Sequence, residues 1–290
     1  MRVVILMVLL LTSCAKDLIT GKSTLNYYKI EDEPKLGQQV LEAQTAELKH
    51  QKKAIDSKKN AKDVKRIRTI VKRLAKVSHH PEFPFEAHLA DLPIVNAWCA
   101  PGGKIMVYEG LWDPKEGLIE KGNDAQLAAV LGHEIAHATA RHVTESLSKN
   151  MTIAIAGAVA SSAIASGSAE GADLFGQMFD QGMNLFIPSY SRKNELEADR
   201  IGLLYMAEAG YDPREAVKIW KKAAKGKKGE RTSIFASHPA SGERAKQLEK
   251  YLPEAIKVYE KRQAKVSDYL KRLPHQGWPA SVSDTFARHP

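Results

Sequence analysis

The sequence predicts an α+β fold, predominantly helical, with a small β-sheet whose edge strand flanks one buried helix. Three observations predict it. Leu127, Ala128, Val130 and Leu131 form an apolar run of buried-helix character that leads straight into His133-Glu134-Ile135-Ala136-His137. Short alternating segments at 83–91, 94–98 and 104–108 cluster around the turn Pro101-Gly102-Gly103. Lys-, Glu- and Gln-rich helical stretches flank them on both sides.

Taken in order, Arg2 precedes an apolar run at 3–11, well short of the ~20 residues a bilayer span needs but suited to a signal-peptide core. Leu11-Thr12-Ser13-Cys14 resembles the bacterial lipobox, which implies a lipoprotein signal at 1–14 and membrane attachment through lipid on Cys14. A plain cleaved signal with an incidental cysteine is the alternative. Ala15, rather than Asp, follows Cys14. By resemblance to Gram-negative sorting preferences this implies the bacterial cell envelope, at the periplasmic face of the outer membrane. With Cys14 lipidated, Cys99 has no disulfide partner, so the protein must rely on its core and any metal it holds.

Residues 15–32 read as an extended tether with turn residues Thr20-Gly21-Lys22-Ser23, and 33–272 as the folded domain. Helices are expected at 33–60 and 61–77, the second burying Val64, Ile67, Ile70, Val71 and Leu74. Twelve Lys or Arg stand against two Asp between Lys49 and Lys76, in a chain of net charge +9. An exported protein without aromatic residues among those charges does not suit a nucleic-acid partner. The stripe reads as a solvated helix face with some attraction for anionic headgroups.

Pro81 and Pro84 break the helix before the strands. Asn123 and Gln126 form a capping pair that opens the central helix, expected from about 124 to 149. Residues 151–166 read as a buried or lid-forming helix, too short and too rich in serine for a span. A Gly/Ser loop at 167–171 and a helix at 176–184 follow. The next helix runs 192–208 and stops at Gly210; Asp212-Pro213-Arg214-Glu215 starts another. A basic turn at 225–229, a helix at 242–271 and a loose, proline-bearing tail at 273–290 complete the chain.

The chemistry sits in two of these helices. His133 and His137 are one turn apart on one face, so both imidazoles can reach a single ion, with Glu134 between them placed to hold a water. Glu195 and Asp199 share the same spacing on the later helix, suited to a third ligand and a carboxylate that orients a ligand. A third histidine six residues after the second would mark a different class, but that position is Val143 and no glycine precedes it. His142 is one residue short. A glutamate ligand from a separate helix, the gluzincin arrangement, is therefore expected, with one Zn2+ per chain.

Beyond the zinc motif, Val95-Asn96-Ala97-Trp98, Pro101-Gly102-Gly103-Lys104-Ile105, Gly110-Leu111, Ser191-Arg192 with Glu195, Ala198 and Asp199, and Ser237-His238-Pro239 with Arg244 resemble the HtpX-like, Oma-type and CAAX-prenyl-protease family of zinc metalloendopeptidases. The resemblance covers roughly residues 30–250. It is nearest to periplasmic lipoprotein members that police outer-membrane protein assembly. It implies a membrane-anchored endopeptidase acting on unfolded or misassembled envelope proteins, with the outer-membrane assembly machinery as a possible partner. The C-terminal repeat domain of such members is not expected here. A chaperone-like protein that seldom cleaves, and an integral membrane peptidase with 151–166 inserted, are the competing readings.

Glu134 is expected as general base and His238 and Arg244 as oxyanion donors, the last two by resemblance. His238 could instead be a fourth zinc ligand that holds the enzyme inactive, or cap a turn before Pro239. The strand Lys104–Tyr108 is expected to be the edge that pairs with substrate, using Gly103, Lys104 and Ile105, with Asn96 fixing the turn or touching substrate. Cys99 reads as a small buried residue.

Overall fold

The computed structural model describes residues 14–16, 21, 23–162, 190–225, 234, 238 and 242–272. The expected leader, the 167–171 loop, the 176–184 helix, the 226–229 turn and the tail lie outside them. A hairpin of β1 (Cys14–Lys16) and β2 (Ser23–Leu25) leads to α1 (Glu33–His50) and α2 (Ala61–Val77). Strands β3 (Glu86–Ala90), β4 (Ala97–Ala100) and β5 (Lys104–Tyr108) follow, then α3 (Asp124–Thr139) and α4 (His142–Ser162). The chain closes with α5 (Arg192–Glu208), α6 (Arg214–Lys225) and α7 (Gly242–Arg272).

The sheet separates two apolar clusters, as alternation requires. Ala87, Leu89, Cys99, Ile105 and Val107 face the cluster shared with α2, α3 and α5, where Leu127, Leu131 and Ile135 are fully buried. Burying each such side chain is worth about 1.5–3 kcal/mol. Trp98, Ala100, Met106 and Tyr108 face the other cluster with Val40 and Leu41 of α1, Val143 and Tyr190. The α2 stripe is buried as its periodicity predicts, leaving Lys62, Lys65, Lys72 and Lys76 exposed. No described helix is long and apolar enough to cross a membrane.

The helix expected over 33–60 ends at His50, and three further expectations change. First, β5 is the central strand, parallel to β3 and antiparallel to β4, so it cannot receive a substrate strand. The edge beside α3 is β4. Alternation shows that a segment is a strand but says nothing about its neighbours. Second, the helix expected across 124–149 is broken at Ala140 and Arg141, where Arg141 takes φ 59°. Third, the end of the expected tether is tied down. Asn26 Nδ2 donates to Thr144 Oγ1 and the Tyr27 amide to Ser148 Oγ, both at 2.9 Å.

Candidate metal centre

Two helices with small residues at their crossing bring the motifs together. A Cβ on Gly202 of α5 would lie 2.7 Å from the His133 nitrogen, and one on Gly132 of α3 would lie 2.9 Å from the Gly202 carbonyl oxygen. The backbones therefore touch directly beside the first histidine. Asn123 caps α3 by accepting from the Gln126 amide, and Ser191 caps α5 by accepting from the Asn194 amide. Gln126 does not complete a reciprocal box; its side chain accepts from the Glu120 amide and donates to Glu215.

Four donors converge: His133, His137, Glu195 and His238, all buried and with ligand atoms within 4.8 Å of one another. The Nε2 atoms of His133 and His137 are 3.1 Å apart, and His238 Nδ1 lies 3.3 Å from His133 Nε2. Glu195 Oε1 is 2.9 Å from His238 Nδ1 and 3.4 Å from His137 Nε2. Zinc bonds of about 2.0–2.1 Å in a tetrahedron would put donor atoms about 3.3 Å apart. The separations fit that ion. Three buried ring nitrogens and a carboxylate oxygen directed at one point form a donor set whose lone pairs a shared cation would satisfy.

Each histidine is backed differently. His133 Nδ1 meets Asp199 Oδ1 at 3.0 Å. Burial opposes its charged form, but the Asp199 and Glu195 carboxylates outweigh this and carry His133 up to about 9. His137 Nδ1 instead meets His142 Nδ1 at 3.0 Å, and burial holds His137 well below its usual value. Burial also opposes ionisation of Glu195, yet the three surrounding histidines hold its carboxyl well below the usual range. Burial raises Glu134, whose Oε1 stands 3.4 Å from His238 Nε2.

Arg244 is directed at carboxylates, not at an oxyanion. Its Nε and one terminal nitrogen donate to Asp199 at 2.8 and 2.7 Å, and the other terminal nitrogen pairs with Glu195 at 2.6 Å. Its guanidinium lies 4.1 Å above the Trp220 ring. Its described contacts are thus with the candidate ligand Glu195 and with Asp199.

Of the expected substrate residues, Gly103, Lys104 and Ile105 are taken up by contacts within the fold, while Asn96 stands at the β4 edge. Lys104 Nζ donates to the Pro84 carbonyl and to Glu86, Gly103 abuts the Phe85 ring, and Ile105 is fully buried. Asn96 Oδ1 accepts from the Ala97 amide at 3.0 Å. Since Tyr108 bonds to the Asn96 carbonyl, Ala97 and Cys99 turn their backbone groups to the outer edge of β4. Asn96 thus caps one donor of that edge. Cys99 is buried as expected, and burial pushes its thiol up.

Sequence reasoning passed over Tyr190, whose ring stacks on His137 at 3.7 Å between centroids, and Trp220 beside His133. Neither carries a spacing signal. His142 was weighed only as a metal ligand and set aside.

The sequence model of peptidase family M48 matches residues 61–252, more than half of the chain. The chain belongs to peptidase family M48. M48 metallopeptidases use zinc, and the four-donor cluster is where this member would hold it. The mitochondrial metalloendopeptidase OMA1 of Schizosaccharomyces pombe is 36% identical over 214 residues, 72% of this chain and 56% of that protein. OMA1 of Arabidopsis thaliana is 38% identical over 192 residues, 66% of this chain and 36% of that one. Metalloprotease LoiP of Escherichia coli is 29% identical over 197 residues, 68% of this chain and 73% of LoiP. This M48 chain thus spans about half or less of the OMA1 relatives. The expected outer-membrane location is overturned: relatives named as mitochondrial are more similar than the bacterial one.

Proposed function

We propose that this M48 member is an endopeptidase that hydrolyses peptide bonds in unfolded or extended polypeptides. The convergence of His133, His137 and Glu195 beside Glu134 carries the reading. When bound, zinc supplies Lewis acidity that polarises the scissile carbonyl and acidifies water. Glu134 then accepts a proton from the attacking water and returns it to the leaving amine, and its burial raises its carboxyl, which favours taking up that proton. Asp199 and Arg244 hold His133 and Glu195 in register. The outer edge of β4 is the place for an extended substrate, main chain to main chain, because it lies against α3 and no described strand covers it.

His238 occupies the fourth corner, which a catalytic site keeps open for water or substrate. This supports a resting, closed state in which His238 must leave before cleavage. The same observation supports a second reading, a restrained zinc-fold chaperone. Attachment to a membrane by lipid on Cys14 rests on the lipobox-like Leu11-Thr12-Ser13-Cys14.

The test is cleavage of casein by the purified chain with zinc, with chelator, and as Glu134→Gln. Chelator-sensitive cleavage that falls on the order of a thousandfold in the variant supports the peptidase. Cleavage unchanged in Glu134→Gln would sink it, and one bound zinc with no cleavage favours the restrained reading.

A further inference from the structure

His142 stands five residues after His137, and on a continuous helix it would point about 140° away from it. The break at Ala140 and Arg141 instead starts a new helix at His142 and turns that side chain back toward the metal centre. Its Nδ1 then lies 3.0 Å from His137 Nδ1, with both rings buried. Its Nε2 faces Glu197 Oε2 at 3.7 Å.

If His137 gives Nε2 to zinc, its remaining proton sits on Nδ1. Two facing nitrogens 3.0 Å apart hold one proton between them, so His142 Nδ1 accepts and its own proton lies on Nε2. The acceptor that this buried nitrogen faces is the Glu197 carboxylate, 3.7 Å away and outside direct hydrogen-bond distance. We propose that His142, backed by Glu197, is the positioning residue that fixes the tautomer and ring orientation of zinc ligand His137. The inference rests on the zinc-peptidase reading. The two ligand imidazoles are thereby unequal: His133 is backed directly by a carboxylate, His137 by a second imidazole that faces one.

The experiment measures zinc affinity of the purified full chain by chelator competition, with the visible spectrum of the cobalt-substituted protein as a second readout. Circular dichroism checks folding. His142→Leu leaves the His137 N–H buried without an acceptor, so zinc affinity should fall on the order of ten- to a hundredfold and the cobalt bands should shift. His142→Asn, whose Oδ1 can accept in place of Nδ1, should retain most of the affinity. Glu197→Gln, at a partly exposed position, should fall between them with the fold intact. His142→Leu with wild-type affinity and wild-type cobalt bands would overturn the positioning role while leaving the metal centre standing. A wild-type chain that takes up no zinc would overturn both.

Discussion

Gly132 and Gly202 meet backbone to backbone, with space for no Cβ on either: one at Gly202 would fall 2.8 Å from the Gly132 carbonyl carbon. This contact sets the distance between the helix that carries His133 and His137 and the helix that carries Glu195. Gly202→Ala should push the helices apart, at a cost of about 1–3 kcal/mol. Zinc affinity should fall along with stability. Urea unfolding and chelator competition on one preparation check this; a stable variant with unaltered zinc affinity would contradict it.

His238 shares its Nδ1 with the Glu195 carboxylate at 2.9 Å inside the four-donor cluster. A fourth protein donor closes the site. His238→Ala should therefore raise casein cleavage, on the order of tenfold if holding His238 aside costs about 1.4 kcal/mol. Loss of cleavage in this variant, with zinc retained, would instead assign His238 to the reaction itself.

Metal removal should destabilise the whole domain, because the cluster joins α3, α5 and the segment before α7. A ligand that binds only the native state adds about 4 kcal/mol at a thousandfold excess over its Kd. Chelator should lower the urea midpoint accordingly, and added zinc should restore it. A midpoint indifferent to chelator would show that the centre does not hold the fold together.

Glu33 provides a stability test away from the metal. Burial raises its carboxyl above 4.5, although Arg141 Nε pairs with it at 2.7 Å and Thr144 donates to it at 2.9 Å. A native pKa raised above the unfolded one means that the native state binds the proton more tightly. That stability is fully present below about 4.5 and is lost as pH rises through the raised value. Wild type should therefore lose stability relative to Glu33→Gln as pH is raised from 4.5, measured by urea unfolding. A difference that stays constant or reverses would refute the shift.

The legible parts of the site are those written in local periodicity. His133 and His137 at four residues, Glu195 and Asp199 at four residues, the Asn123 cap and the buried stripe of α2 all depend on contacts within one helix. Such contacts repeat every turn, so spacing alone reveals them. What was misread depends on partners far along the chain. Lys104–Tyr108 alternates like any half-buried strand, but its central place follows from β3 and β4 pairing on either side. Arg244 was visible as a charge, yet its partners are two carboxylates 45 and 49 residues earlier, Asp199 and Glu195.

By itself the sequence showed the residue types able to hold zinc, their placement on two helices, and a carboxylate between the two histidines. Only the tertiary structure decided how that chemistry is framed. It made β4 an edge strand among the described residues, folded His142 back behind His137, and brought His238 in among His133, His137 and Glu195. The physical reason is range. Helical spacing is fixed within a turn, whereas sheet order, a left-handed break and side-chain convergence are fixed only when the whole core packs at once.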